Sequence, residues 1–138
     1  MAPPDDAALR ALLAEPRRIA VVGLGANPDK PAFRVAQYLQ RHGHVIVPVH
    51  PAVAEVLGEP AVPTLEAAAA GEPVDIVDVF RRADAIPELV PAMIALRPRL
   101  VWLQLGITSP EAAAALEAAG IPVVMDRCLK LEHARLVG

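Results

Sequence analysis

Five short apolar runs recur along the chain and are separated by segments with helical spacing or helix-capping residues. The runs are residues 18–23, 44–49, 75–80, 100–105 and 122–126. Their apolar residues are largely consecutive, which is typical of parallel strands buried on both faces. Strands that alternate with helices predict an α/β fold: a Rossmann-like, doubly wound, five-stranded parallel sheet in three α/β/α layers. We expect the strand order 3-2-1-4-5, counting strands along the chain, with a ligand crevice between the first and fourth strands.

Helices are predicted around these strands from capping residues, prolines and apolar spacing. They run from about Asp5 to Glu15, Pro31 to His42, Thr64 to Gly71, 83 to 96, Ser109 to Gly120 and 127 to 136. Pro48 near the end of the second strand predicts an edge position, because proline cannot donate to a neighbouring strand. The 138 residues predict a single domain, 1–138, with its core at about 16–136.

Charge and cysteine content exclude several classes of function. The formal net charge is −3, which argues against a nucleic-acid partner, because binding to phosphate backbones requires a basic face. No apolar stretch has the length of a membrane span, and no signal peptide is visible. Cys128 is the single cysteine, so no disulfide can form within the chain. We therefore expect a cytoplasmic protein without a membrane partner.

The first predicted strand leads into GLGANPDK, residues 23–30, and then into the helix that opens at Pro31. Gly23 and Gly25 match two glycines of the dinucleotide fingerprint G-x-G-x-x-G, but Pro28 stands at the third. Such a loop lets the backbone N–H groups of Leu24, Gly25, Ala26 and Asn27 approach a diphosphate closely. Lys30 and Arg34 add positive charge at the same helix. The segment predicts a phosphate-bearing ligand.

The end of the second strand argues against NAD. An NAD site usually has an acidic residue there, which binds the ribose hydroxyls. This chain has Val49, His50 and Pro51 instead, and its next carboxylate is Glu55. A histidine suits a phosphate on the ribose, so coenzyme A or NADP is the predicted ligand.

The third and fourth strands end in VFRR and LQLG. Phe80 and Ile86 are candidates for an apolar wall, and Arg81 and Arg82 for phosphate contacts. Gln104 is a polar side chain at a buried strand end and needs a partner, which is either the ligand or a neighbouring loop.

The motifs VVGLGANPDKPAFRVAQYLQRHGHVIVPVHP, VDIVDVFRRADAIP, VWLQLG and VVMDRCLKLEH occur in this order. Together they resemble the stand-alone CoA-binding proteins, which are similar to the N-terminal CoA-binding domain of the succinyl-CoA synthetase α subunit. The resemblance covers roughly residues 16–136 and implies a Rossmann-like fold with coenzyme A as the ligand.

The resemblance also implies a role for each strand end. The loop 23–27 would meet the diphosphate, residues 49–51 the adenosine end, and Val79, Phe80 and Arg81 the opposite wall. The thiol of the pantetheine would point toward the loops 104–106, which includes Gly106, and 126–128. The family usually has Asn where His50 stands, often with a basic residue soon after Pro51. Here Ala52 and Val53 follow, so Arg17, Arg18 or His50 would have to bind the 3′-phosphate.

The sequence contains no convincing catalytic constellation, so we expect a non-catalytic protein. Asp78 lies among apolar residues and must be paired or have a raised pKa. Cys128 and His133 are five residues apart, a poor spacing for a pair on one helix face, and no metal-binding spacing occurs. His42 and His44 flank Gly43 and are expected to be exposed. Cys128 opens the last helix and is a candidate for a mixed disulfide with coenzyme A, or for a buried structural cysteine.

Three functions are compatible with these sequence features. The first is a protein that binds coenzyme A or acyl-CoA, alone, as a homo-oligomer or with a protein partner. The second is an NADP-dependent oxidoreductase, against which the missing third glycine argues. The third is an interaction protein with a vestigial nucleotide pocket.

Overall fold

The computed structural model describes residues 2–138 and contains five α-helices and seven strands in that range. In chain order these are α1 Asp6–Leu13, β1 Arg18–Val22, α2 Pro31–Arg41, β2 Val45–Val49, β3 Glu55–Val56, β4 Glu59–Pro60, β5 Ile76–Val79, α3 Val90–Leu96, β6 Leu100–Leu103, α4 Pro110–Ala118, β7 Val123–Val124 and α5 Leu129–Leu136. Three short 3₁₀ segments, Glu66–Ala70, Ala83–Ala85 and Pro87–Leu89, complete the connections. None of the helices in the described range is long and apolar enough to cross a membrane.

The main sheet is parallel throughout and has the order β2-β1-β5-β6-β7. The α/β prediction is confirmed, as is the edge position of the strand that contains Pro48. The predicted order 3-2-1-4-5 is wrong, because the third long strand, β5, pairs with β1. The connection after β2 folds along the outer edge of that strand, where the N–H of Val62 donates to the Pro48 carbonyl and the Val62 carbonyl accepts from His50. This segment occupies the place that a further strand would need.

Helices cover both faces of the sheet. One face packs against α1, α2 and α5 through a core that includes Ile19, Leu39 and Trp102. The other packs against α3, α4 and the Glu66–Ala70 segment through a second core that includes Val77 and Leu116. The chain changes faces between β1 and β5, so the crevice at the carboxyl edge lies between these two strands. The expected crevice between the first and fourth predicted strands is therefore wrong.

Local signals at helix starts are confirmed where a side chain caps the helix. Asp5 Oδ1 accepts a hydrogen bond from the Ala8 N–H, and Ser109 Oγ accepts from the Ala112 N–H. The predicted helix over 83–96 is wrong in its first half, which forms two 3₁₀ turns before α3. Pro87 and Pro91 provide no N–H for a continuous ladder of α-helical hydrogen bonds. The last strand is also shorter than predicted, with two residues in β7.

Asp78 is a fully buried carboxyl group in the middle of β5. It pairs in register with Val21 and Trp102, and neither of its carboxyl oxygens has a hydrogen-bond partner. Of the two expected alternatives, pairing is therefore wrong and the raised pKa holds: burial raises the pKa of Asp78 well above its usual 3.8. A group with a raised folded-state pKa costs no stability below pH 3.8, and its cost grows as the pH rises toward that raised value.

Replacing this carboxyl with an amide should stabilise the protein at neutral and alkaline pH. We expect Asp78→Asn to raise the free energy of unfolding at pH 8 by about 1–3 kcal/mol, because the amide carries no charge that burial penalises. The gain should shrink toward pH 4. Urea unfolding, followed by the fluorescence of the single Trp102, measures both values.

The matched control lies one residue before the same strand. Asp75 is paired: its Oδ2 accepts from the Arg18 N–H at 2.9 Å, and its Oδ1 lies 3.2 Å from Arg99 Nε. Asp75→Asn should therefore destabilise by about 1 kcal/mol. Equal effects of the two substitutions, or no change in the Asp78→Asn gain with pH, would contradict this account of Asp78.

A cluster of aromatic and imidazole side chains joins α2, α5 and the start of β2. His44 Nδ1 accepts from the Arg17 N–H at 3.0 Å, its Nε2 lies 3.4 Å from His133 Nε2, and His133 Nδ1 lies 2.9 Å from the Tyr38 hydroxyl. His44 and His133 are buried, so the expectation that His44 is exposed is wrong, whereas His42 is exposed. The backbone bond assigns the hydrogen of neutral His44 to Nε2, which then faces His133.

Candidate functional site

A cleft of about 810 Å³ opens at the carboxyl edge of the sheet. Its walls come from the loop after β1, the first turns of α2 and α5, and the segments that follow β2, β5 and β6. The lining residues are Gly23, Gly25, Ala26, Asn27, Lys30, Pro31, Ala32, Val35, His50, Val53, Phe80, Arg81, Arg82, Gln104, Leu105, Ile107, Cys128 and Leu131. No Asp or Glu of the described chain is among them, so the fixed charge of the cleft is positive.

The loop after β1 passes very close to the end of β5. Gly23 has φ +92°, and a Cβ at this position would lie 2.6 Å from the Phe80 carbonyl oxygen, so only glycine fits. None of the described residues accepts a hydrogen bond from the backbone N–H groups of residues 24–27. Four donors are thus left unpaired next to the start of α2, which is the arrangement that binds phosphate oxygens.

His50 is held over this loop by a turn of its own. Its Nδ1 accepts from the Ala52 N–H at 3.0 Å, which assigns the hydrogen of the neutral ring to Nε2. A Cβ on Gly25 would lie 3.4 Å from that Nε2. The imidazole N–H is therefore a further donor beside the unpaired backbone donors, and a side chain on Gly25 would narrow the space between them.

Three cations surround the same end of the cleft. Lys30 and Arg81 are exposed and have no ion-pair partner among the described residues. Arg82 Nε lies 3.3 Å from Asp84 Oδ1, and both side chains are largely exposed, so this pair holds Arg82 only weakly. The cations are thus available to an anionic ligand.

A second cavity of about 610 Å³ adjoins the cleft. It shares Gly23, His50, Phe80 and Arg81 with the larger cavity. Its remaining lining residues are Val22, Val49, Pro51, Pro63, Thr64, Leu65, Glu66 and Leu89. The two spaces meet at the β1–β5 switch point, so one elongated ligand can occupy both.

Most of the residues predicted for the site line one of these spaces. The larger one contains Gly23, Gly25, Ala26, Asn27, Lys30, His50, Phe80, Arg81 and Gln104. The smaller one adds Val49 and Pro51. The topology brings them together because every strand of a parallel sheet ends at the same edge.

Five predicted residues lie outside both linings. Leu24, Val79 and Ile86 are buried in the two cores, where their side chains pack against other apolar residues. Arg34 is exposed on α2, and Gly106 is exposed after β6, where its N–H donates to Asp126 Oδ1 at 2.7 Å.

Arg17 and Arg18 cannot take over the phosphate contact suggested for them. They stand at the amino end of β1, and the cleft lies beyond its carboxyl end at Val22. Arg17 Nε donates to the Leu12 carbonyl oxygen, and Arg18 Nη1 lies 4.0 Å from Glu72. This expectation is wrong because the length of β1 lies between these two arginines and the cleft.

Two polar residues link the cleft to α5. Gln104 Oε1 accepts from the Leu129 N–H at 3.2 Å, so the neighbouring helix is a partner of this buried amide. Cys128 is half-buried at the N-cap position of α5 and lines the cleft. Among residues 2–138, no group of three or more His, Cys, Asp or Glu side chains is placed to bind a metal ion.

The sequence reasoning missed part of the apolar lining. Ala32, Val35, Val53, Ile107 and Leu131 line the cleft but were not among the predicted site residues. Ala32 and Val35 belong to the apolar stripe of α2, and such a stripe predicts burial in the core and not a place in a binding site. The sequence offers one indication for Leu131: it belongs to the first turn of α5, the helix that follows β7.

A model of the family described as CoA binding domain matches residues 17–134. The chain belongs to the CoA-binding domain family. The resemblance inferred from the sequence motifs is thereby confirmed. Within the family, its relatives include a Bacillus subtilis (strain 168) protein named Uncharacterized protein YneT. That protein is 37% identical over 131 residues, which are 95% of this chain and 96% of the relative.

Solved structures show the same fold as this CoA-binding family member. A Thermus thermophilus protein, cell-free ID.343, is 48% identical with a TM-score of 0.91, over 96% of this chain and 99% of that one. A hypothetical protein from Pyrococcus horikoshii OT3 is 31% identical with a TM-score of 0.91, over 100% of this chain and 98% of that one. The Rossmann-like arrangement thus extends over the whole length of both relatives.

Proposed function

We propose that this protein binds coenzyme A in the cleft at the β1–β5 switch point and catalyses no reaction on it. The observation that carries the proposal is the set of unpaired backbone N–H groups at residues 24–27, next to Lys30 and His50. A diphosphate satisfies such donors and neutralises such cations. Membership of the CoA-binding domain family supports coenzyme A over other diphosphates.

The diphosphate would lie against the loop 23–27. Gly23 allows the loop backbone to lie against the end of β5, and the lack of a side chain on Gly25 leaves space for a phosphate group next to the His50 ring. His50 Nε2–H and the Lys30 ammonium would then donate to phosphate oxygens from two sides. The group fits here because the loop supplies donors and space, and because the described lining of the larger cleft contains no carboxylate, Glu66 being in the lining of the smaller cavity.

The adenosine end would occupy the smaller cavity, next to Val49 and Pro51. His50 and Arg81 line both cavities, so they are placed to contact a 3′-phosphate on the ribose. The pantetheine arm would extend through the larger cleft, past Phe80 toward Gln104 and Cys128. The single cysteine is compatible with a reducing cytoplasm. If the protein only binds the ligand, its transfer would need a protein partner.

Thermal unfolding with matched ligands tests the proposal. Reduced protein should unfold at a higher temperature with coenzyme A than without ligand, and dephospho-CoA should have a smaller effect. A ligand at 100 times its Kd adds about 2.7 kcal/mol of stability, a shift of several degrees in a domain of this size. A shift with NADP alone would indicate a nicotinamide protein, and no shift with coenzyme A would contradict the proposal.

A matched pair of variants tests the place of the diphosphate. Lys30 lines the cleft, and Arg34 lies one helical turn later on the exposed face of α2. Lys30→Met should weaken coenzyme A binding by about tenfold, because it removes a charge-assisted hydrogen bond of about 1.5 kcal/mol. Arg34→Met should leave Kd unchanged. Equal losses in both variants would point to a general charge effect instead of a contact.

A further inference from the structure

The cleft is divided by charge along its length. Lys30, His50, Arg81 and Arg82 belong to the end that follows β2, β1 and β5. The other end follows β6 and includes the first turn of α5. Its lining contains no charged side chain of the described chain, and its apolar members are Leu105, Ile107 and Leu131.

The two ends are separated by most of the width of the sheet. In the order β2-β1-β5-β6, the residue after β2 and the residue after β6 lie three strand spacings apart, or about 14 Å. The loop 23–27 follows β1, which lies two strand spacings, or about 10 Å, from β6. A ligand whose anionic group lies at this loop and that reaches Leu105 must therefore be elongated. It must also change from charged to apolar along its length.

The apolar end carries the two most exposed large hydrophobic side chains of the described chain. Leu105 is 66% exposed and Leu131 is 62% exposed, and both line this one cleft. The other two such residues, Val45 and Val137, line neither cavity. Isolated exposed leucines are ordinary, but two that line the same cleft form a surface that an apolar group can cover.

We propose that the ligand is an acyl thioester of coenzyme A, and that its linear saturated acyl chain lies between Leu105 and Leu131. This inference rests on the proposed function, because it extends the same ligand from the diphosphate site to the far end of the cleft. The acyl group is joined to the end of coenzyme A opposite its nucleotide, which matches the segregation of charge in the cleft. A linear acyl chain placed there would cover both leucines and reduce the contact of their side chains with water.

Binding calorimetry of the full chain in the presence of a reductant tests the inference. The ligands are coenzyme A, butyryl-CoA and octanoyl-CoA. Each buried methylene contributes about 0.8 kcal/mol, or roughly fourfold in Kd. Because the chain lies at an open cleft mouth, we expect octanoyl-CoA to bind at least about tenfold more tightly than coenzyme A, with butyryl-CoA in between.

The double variant Leu105→Gln and Leu131→Gln should bring octanoyl-CoA to within about threefold of coenzyme A. It should weaken the binding of octanoyl-CoA much more than that of coenzyme A, since neither leucine belongs to the diphosphate end. Val137→Gln, an exposed apolar residue at the end of the same helix as Leu131, is the control and should retain the full preference for octanoyl-CoA. All three positions are exposed, so the substitutions should be tolerated by the fold.

The outcomes separate the two proposals. Binding of coenzyme A without any gain from the octanoyl chain would overturn the inference and leave the proposed function intact. Failure of all three ligands to bind would overturn the proposed function itself. A dimer in solution that the double variant dissociates, with no acyl preference, would assign the leucines to an interface between two copies and also overturn the inference.

Discussion

Gly23→Ala should destabilise the protein by at least about 3 kcal/mol. The residue has φ +92°, a conformation that costs an L-residue about 1–2 kcal/mol. In addition, the new methyl group would lie 2.6 Å from the Phe80 carbonyl oxygen. Because that oxygen belongs to the backbone at the end of β5, β1 and β5 must move apart to relieve the contact. A loss of this size lies at the upper end of what a single substitution usually costs.

Urea unfolding at 25 °C, with Trp102 fluorescence as the signal, gives the value. Gly25→Ala is the matched control, since its methyl group would meet only the His50 ring at 3.4 Å. That variant should stay within about 1 kcal/mol of wild type while it narrows the diphosphate site and weakens coenzyme A binding. A Gly23→Ala protein as stable as Gly25→Ala would contradict the close contact between the Gly23 backbone and the Phe80 carbonyl oxygen.

Acid should weaken the packing of α2 against α5 through the buried histidines. Burial lowers the pKa of His44 from 6.5 to about 4, and the neighbouring His133, His42 and Arg17 act in the same direction. Burial, followed by the charge of His42, also lowers the pKa of His133. The other charged group near the cluster is Lys130, whose ammonium lies 5.7 Å from the centre of the Tyr38 ring. The histidines, Arg17 and Lys130 are all positively charged when protonated, so none of them stabilises a proton on His44.

The direction of the pH effect follows from these values. The folded protein keeps His44 neutral, whereas the unfolded chain takes up a proton below pH 6.5. Stability from this residue is therefore complete above pH 6.5 and is lost as the pH falls toward 4. Between pH 7.5 and pH 4.5 the wild type should lose about 2 kcal/mol more unfolding free energy than His44→Asn, whose amide can still accept from the Arg17 N–H.

His50→Asn provides the comparison for this experiment. His50 also accepts from a backbone N–H, that of Ala52, but it lies in the cleft, at the opposite end of the sheet from His44. His50→Asn is therefore a histidine substitution outside the His44–His133 cluster, and a reduced acid slope in His44→Asn alone would assign the effect to that cluster. An acid slope that His44→Asn does not reduce would mean that other groups govern the response to pH.

The strands of the main sheet and most of the α-helices could be predicted from sequence because they have local signals. Consecutive apolar residues identify the strands, and Asp5 and Ser109 identify helix starts by their capping side chains. The order of the sheet could not be predicted in this way. It depends on how the connection after β2 folds back, and the bonds of Val62 to Pro48 and His50 are formed by backbone groups that every residue has.

The residues of the candidate site likewise fall into those that the sequence identifies and those that it does not. The glycine loop and His50 stand out in sequence because their chemistry or conformation is special. Leu131 and Val35 carry no such mark, since their role depends on which side of a helix faces the cleft. Burial of His44 was missed for a related reason: its polar neighbours and Gly43 suggest a surface turn, but packing of α5 covers the ring.

The segment that runs beside β2 affects whether two copies of the protein can associate through their sheet edges. Unpaired backbone groups along a sheet edge invite a strand from another copy, and growth by this route leads to aggregates. Here Val62 already pairs with Pro48 and His50 at one edge, and the other edge, β7, has only two residues. Neither border offers a long template, so concentrated protein should resist the edge-to-edge growth that joins open sheets into fibrils.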